Sequence, residues 1–350
     1  MSGSGNMVRR DGSVLILVLW VLFALTALTV AIGAHVSGAM LMAERLWRIS
    51  ATRALAQAGA QQAVMAVMSQ TNEWDGLVED SWNRNTELFE EQELGAGEFS
   101  VYYLSSDLDG RVVTNFGIIG ESGKINLNRM LKESKLRAAF ENILVNEGKM
   151  AADEAHELVD GIKVVIGGDD GLTDEGSKEY SGDSSSKSAD SNEVSEISSL
   201  AVLRSVEGMD AELYRRVLPY ITVYGEGLIN LNCAPEAVLE ALAAACDSGR
   251  HERDVYRSLA ARVVDFRQAG GVFADKSHDV IYKPLVESAD LSEAERTVWG
   301  GMVCSLVTVK SSAFRGIAAG FLDGGERSGV TVEFVCDRES GRFVYWHEMQ

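Results

Sequence analysis

The chain is short of reactive side chains. Its five histidines, His35, His156, His251, His278 and His347, share no metal-ligand spacing. His156-Glu157 lacks the second histidine of a zinc-binding helix motif. No G-x-S-x-G, Walker or dinucleotide pattern occurs. Without a nucleophile–base pair a membrane-bound hydrolase has nothing to work with, and no enzyme is expected. Cysteine is also scarce: Cys233, Cys246, Cys304 and Cys336, with no C-x-x-C pair. That argues against a zinc or thioredoxin-like site. An oxidising compartment leaves room for one or two disulfides, or for buried thiols. A helix expected between Cys233 and Cys246 would hold them about 18 Å apart, too far to bridge. Positive charge is the other shortage. Thirty-two Lys and Arg face 52 Asp and Glu, a formal net charge of -20. Nucleic-acid backbones and anionic lipid surfaces need clustered cations and are therefore poor partners.

Charge is absent altogether between Asp11 and Glu44. About 20 apolar residues at ~1.5 Å rise span the ~30 Å hydrocarbon core of a bilayer. Residues 13–35 are therefore expected to be a single transmembrane helix. Arg9 and Arg10 favour a cytoplasmic N-terminus and an exported remainder. A cleaved secretory signal has an apolar region of only about 7–15 residues and a small-residue cleavage site. The run here is longer and merges without proline into Ala39–Met68. A plain inner-membrane anchor and a pilin-like N-terminus are the other readings. In the pilin-like case a basic leader, residues 1–12, ends in Gly12 and is cut before Ser13. Met1–Asn6 then read as a tag or a misassigned start, with Met7 the native one.

Residues 36–70 continue as a helix with an apolar face and a polar one. Phe99, Val101 and Tyr103 alternate with polar neighbours, and Val112–Ile119 returns after the turn at Asp107–Gly110. The chain closes with strands expected at Cys304–Val309 with Phe314–Leu322, then Val330–Cys336 and Arg342–Trp346. A β domain over 95–120 and 303–350 thus brackets a helical unit, 121–302. That unit holds a repeat: Gly123-Lys124-Ile125-Asn126-Leu127-Asn128 recurs as Gly227-Leu228-Ile229-Asn230-Leu231-Asn232. Each copy precedes a helix (Met130–Leu144; Pro235–Cys246) and then a second one, around Val159-Asp160 and Val264-Asp265. The asparagines are expected to cap the first helix of each copy, and Pro235 suits a first turn. Two related helical hairpins follow from the duplication. Between them, residues 167–199 are rich in Gly, Ser and Asp. Asp169, Asp170, Asp174, Glu175, Glu179 and Asp183 offer the hard oxygens that calcium takes, on a glycine-turned backbone. The spacing is not that of an EF-hand, and a solvated acidic loop is the plainer reading.

Together these residues resemble the protein K family of type II secretion systems, the minor pseudopilins, over nearly the whole chain. Arg9-Arg10-Asp11-Gly12 is similar to the family's processing site. Leu17, fifth after the cut, stands where most pilin-like subunits carry a glutamate. Gly227–Pro235, Gly208-Met209-Asp210, Leu218–Val223 and the ending from Ser312 to Trp346 also resemble the family. The resemblance implies an α+β fold: a long pilin-like transmembrane helix packed on an antiparallel sheet. A large all-α domain, of SAM or helix-hairpin-helix type, would be inserted between strands. It further implies a structural subunit at the tip of a periplasmic pseudopilus, anchored in the inner membrane, that exports folded proteins. Its partners would be minor pseudopilins of the I and J types, the major pseudopilin and a prepilin peptidase, with methylation of Ser13. Calcium would bind in the helical domain, through Asp169, Asp170, Asp174, Glu175, Glu179 and Asp183. The family's Trp is missing from Val159-Asp160-Gly161-Ile162, and extra residues precede Asp169. The alternatives are a type IV pilus minor pilin and a membrane-anchored helix-hairpin-helix receptor for nucleic acid. The second would need a basic surface, which the acidic residues 121–300 do not offer.

Overall fold

A computed structural model describes residues 11–76, 82–106, 111–167, 196–275, 277–303, 306–322 and 329–349. The first element, α1 (Asp11–Met68), is one helix of 58 residues. At ~1.5 Å per residue it is about 87 Å long. Nothing in it breaks the backbone ladder, since it lacks proline. Its two halves differ. Every described side chain from Val14 to Ser50 is exposed. From Thr52 onward a helical stripe goes under: Leu55, Ala56, Ala60, Ala63, Val64 and Val67 are all buried. Spacings of three and four place that stripe on one face.

The stripe packs on an antiparallel sheet. A single turn, α2 (Thr86–Phe89), is capped by Asn85, whose side chain accepts from Leu88 N at 3.1 Å. Then come β1 (Gln92–Leu94), β2 (Gly97–Ser106), β3 (Val112–Phe116) and β4 (Ile119–Gly120). The chain returns to this sheet only near its end, with β9 (Ala313–Leu322), β10 (Val330–Asp337) and β11 (Phe343–Met349). The described strands run β1-β2-β9-β10-β11, with β3 beside β2 and β4 beside β9. Phe99 lies opposite Gly320, and Val101 opposite Ala318. β2 and β9 are thus direct neighbours although some two hundred residues separate them. Phe314, Val332, Phe334 and Cys336 fill the space beneath α1 with Trp82 and Phe89.

The intervening chain is mainly helical. After a 3-10 turn at Glu121–Gly123 come β5 (Ile125–Asn126), α3 (Leu127–Met130), α4 (Ser134–Asn146), α5 (Ala152–Gly167), α6 (Ala211–Val217), β6 (Ile221–Thr222) and β7 (Ile229–Asn230). There follow α7 (Glu236–Asp247), α8 (Arg253–Gln268), α9 (His278–Ser288), α10 (Glu293–Met302) and β8 (Val307–Thr308). These elements share a second core, centred on Phe140, Leu239, Phe273 and Trp299.

Three sequence expectations change. The helix expected at Met130–Leu144 is broken. Asn126 starts α3 early by accepting from Arg129 N, and tight bonds at Leu131–Glu133 close it before α4 begins. The strand expected at Cys304–Val309 does not join Phe314–Leu322. Its described part, β8, pairs in parallel with β7: the Ile229 and Leu231 N–H groups donate to Leu306 O and Thr308 O, and Asn232 donates to Val309 O. Of the asparagines expected to cap, only Asn126 does so; Pro235 is itself the N-cap of α7, with no side-chain cap. Asn128 and Asn232 instead each grip a distant backbone. Asn128 accepts from Ile197 N at 2.7 Å and donates to Ile197 O and Val223 O. Asn232 accepts from Phe273 N at 2.9 Å and donates to Phe273 O and Val309 O. The second asparagines of the two copies thus make equivalent bonds. Ile125 pairs with Ile221, and Ile229 with Val307.

The helix–sheet contact depends on glycine. A Cβ on Gly320 would meet the Thr52 carbonyl oxygen and lie 2.6 Å from Ala56 N, so α1 would have to move. Gly320→Ala should therefore lower full-chain stability by about 1–3 kcal/mol, the usual cost of overpacking. Chemical denaturation in uncharged detergent reads this. An unchanged midpoint would show that α1 does not sit that closely on β9.

Candidate functional site

The first candidate region is the exposed half of α1. It has the length and composition to cross a bilayer, with mean hydropathy 2.8 in its most apolar window and none of that window buried. Its two threonine hydroxyls are turned inward. Thr26 Oγ1 donates to the Leu22 and Phe23 carbonyls at 3.0 and 2.8 Å, and Thr29 Oγ1 to Leu25 O at 2.8 Å. Hydroxyls bonded in this way present no unmet donor to lipid. Gly12 and Ser13 lie in the first turn of α1, and Leu17 is 65% exposed on its surface. Charge reappears at Glu44 and Arg48, which pair at 3.4 Å.

The acidic residues proposed as calcium ligands, Asp169, Asp170, Asp174, Glu175, Glu179 and Asp183, lie outside the described residues. The chain on either side is described: α5 leads up to them, and Asn128 clamps Ile197 just after them. Among the described residues no group of three His, Cys, Asp or Glu is placed to hold a metal ion. Cys233 is a free thiol, pushed up to about 12 by burial, with Asp75 adding to the shift.

The second region is the joint between sheet and helices, and no motif marks it in the sequence. Asp75, after α1, is almost fully buried. Its carboxylate accepts from Arg338 Nη1 at 2.6 Å, from Asn230 Nδ2 at 3.1 Å and from Ser311 N. Its own N–H donates to Val309 O at 2.9 Å. Glu121 is fully buried. Lys124 Nζ reaches its Oε1 at 2.6 Å and Arg315 Nε at 2.8 Å, while Thr222 Oγ1 donates to Oε2 at 2.6 Å. Arg315, on β9, also holds Glu333 on β10. Burial alone would raise the Glu121 pKa, but Lys124 and Arg315 outweigh it and hold it down at about 2. Burial likewise acts to lower Arg315, and Glu121 and Glu333 more than offset it, leaving it raised. The site holds two layers in register.

Sequence reasoning missed Asp75, Glu121, Arg315 and Arg338, which are single charges among 52 acids and 32 bases. One signal was available. Ile221-Thr222-Val223 and Val307-Thr308-Val309 repeat as the two Ile-Asn-Leu-Asn copies do. Thr222 and Thr308 accept from the N–H two residues on, at 3.2 and 3.3 Å.

Residues 123–226 match the family model for type II secretion system (T2SS), protein K. No curated protein matches the chain. Among solved structures it is similar to a chain of the GspK-GspI-GspJ complex from the enterotoxigenic Escherichia coli type 2 secretion system. The two share 15% identity at a TM-score of 0.55, over 90% of this chain and 99% of that one. The shared fold is a long N-terminal apolar helix with an antiparallel sheet and helices.

Glu121 generates a prediction. Its pKa is about 2 in the fold, against 4.5 for a glutamate side chain free in water. A depressed carboxyl stabilises fully above the unfolded value, and that contribution is lost as pH falls through the folded one. Glu121→Gln should cost about 3–5 kcal/mol at neutral pH by leaving buried cations underpaired. It should also flatten the stability loss between pH 4.5 and about 2. Equal acid sensitivity in both proteins would show that Glu121 does not carry it.

Proposed function

We propose that this chain, a type II secretion system protein K and minor pseudopilin, forms the tip of a periplasmic pseudopilus that moves folded proteins across the outer membrane. The observation that carries the reading is the division of α1. Residues 52–67 pack on the sheet, while every described apolar side chain from Val14 to Ile49 is exposed. A surface of that size needs lipid or the matching helices of other subunits. We place the helix in the inner membrane before assembly and against other pseudopilin helices afterwards. The similar solved chain was crystallised with GspI and GspJ. Subunits of the I and J types, and the major pseudopilin, are the partners we carry over.

The tip position follows from two features. Leu17 gives no carboxylate to pair with the amino group of a subunit ahead. The helical unit between β4 and β9 adds bulk where a further identical subunit would stack. We assign processing to a prepilin peptidase cutting between Gly12 and Ser13, with methylation of Ser13. Intact mass of the membrane-extracted chain reads both, and an N-terminus at Ala39 or beyond would exclude them. The segment 169–183 supplies six carboxylates and no His or Cys, a donor set that fits calcium and not a softer metal. Such an ion would stabilise the fold.

Two outcomes are expected. Replacing residues 121–302 by a short linker should abolish secretion in a strain lacking the native subunit, while the truncated chain still reaches the membrane; restored secretion would overturn the tip role. Removing calcium with EGTA should lower the melting temperature. A binder of the native state alone stabilises by about 2.7 kcal/mol at a hundredfold excess over Kd. An unchanged melting temperature would remove calcium from this account.

A further inference from the structure

A cleft of about 900 Å³ opens between the β2–β3 hairpin and the start of α7 against α8. Arg84, Lys149, Arg253, Arg257 and Arg267 all line it. Five cations in one cleft run against a chain of net charge -20. Three acids share the cleft, Glu147, Glu236 and Glu240. Glu240 is already committed to Arg253 at 2.6 Å.

Arg267 is the informative residue. It is only 8% exposed. Its Nη1 donates to Leu231 O at 3.0 Å and Ala234 O at 2.8 Å, which fixes the guanidinium in place. Its Nε is buried and has no acceptor. Among the described residues no carboxylate is bonded to it, and burial pushes its pKa down to about 10. A buried cation is normally paired, because leaving water uncompensated costs several kcal/mol. Arg257, exposed on the rim, has no carboxylate bonded to it among the described residues either.

A second observation is independent of the first. Pro235, Glu236 and Ala237 line the same cleft, and they form the N-terminus of α7, a helix of 12 residues with no side-chain cap. Helix N-termini present free N–H groups and a positive dipole end to an anion. Guanidinium, helix end and rim cations thus converge on one space.

We propose that this cleft is a carboxylate-binding site that takes an acidic peptide segment of a partner protein. Its volume is several times that of a lone carboxylate, and five cations line it. Arg257 and Arg84 at the rim meet the outer carboxylates, and Arg267 takes the deepest. Nucleic acid and anionic bilayers extend beyond the cleft and would meet the acid-rich remainder of the chain, whereas a short acidic segment meets the cleft cations alone. The site stands on this cleft alone and does not depend on the tip position proposed above.

The test is fluorescence anisotropy with full-length protein in uncharged detergent. The probes are a labelled glutamate hexamer and a serine hexamer. The glutamate probe should bind and the serine probe should not. Arg257→Glu, a surface change, should weaken binding about tenfold, and Arg267→Met should abolish it. Melting temperatures confirm that each variant is folded; Arg257→Glu decides the matter if Arg267→Met is not. Arg45→Glu, on the remote part of α1, should leave binding unchanged. Equal binding of both probes, or full binding by Arg257→Glu, would overturn the site. So would an equal loss in Arg45→Glu, which would mark general attraction. Complete displacement by millimolar phosphate would overturn the peptide assignment and leave an adventitious ion only.

Discussion

The architecture rests on two buried carboxylates that must never be without a cation. Asp75 and Glu121 sit where the sheet meets the helices, away from water. Uncompensated, either would cost more than a typical hydrogen bond returns. Each is met by an arginine from the sheet, Arg338 or Arg315. Each also binds the helical unit, through Asn230 or through Thr222 and Lys124. Because a charge tolerates little misplacement in a dry site, the pairs fix which face of the sheet the helices meet. The apolar cores cannot do that alone, since dispersion and burial carry little directional information.

The duplicated Ile-Asn-Leu-Asn segments do a related task within the helical unit. In each copy the isoleucine enters a core and the second asparagine closes a loop from two sides. An amide side chain offers both a donor and an acceptor, so it can satisfy the N–H and C=O of one backbone residue at once. Asn128 does so at Ile197 and Asn232 at Phe273. The equivalence extends to Thr222 and Thr308, each accepting from the amide two residues later. One local device, used twice, tethers segments that lack enough apolar residues to hold themselves in place.

Much of this was legible in the sequence because it depends on periodicity. The α1 stripe, the alternation of β2 and the boundaries of α7 all follow from local pattern. The repeat itself was visible, but its bonding was not. An asparagine before a helix can cap it or reach elsewhere, and only the distant partner decides. Asn126 capped; Asn128 and Asn232 did not. The short β8 was misjudged for the same reason: Val307-Thr308-Val309 has the composition of a sheet strand, and its register is set by β7. Glu121 and Asp75 carry no local signal at all, since burial of a charge is a property of three-dimensional surroundings. The acidic segment from Asp169 to Asp183 could be read for composition only, and its ligands stay at that level.

α1 is one unbroken helix of 58 residues, without the proline that would sharply kink it. Whatever holds Val14–Ile49, lipid or neighbouring helices, therefore acts on the same helix that packs at Thr52–Val67. There the contact is close, because Gly320 admits the helix backbone and the alanine stripe presents little bulk. A helix seated on small residues resists tilt, since any rotation meets backbone and not a flexible side chain. Its exit is fixed as well. Asp75 lies seven residues beyond Met68 and is tied at once to Asn230, Ser311 and Arg338. A displacement of α1 must then reach both layers together, through the sheet contact and through Asp75. The helical unit is for that reason positioned by α1 directly, and does not hang from the sheet by its two connecting strands alone.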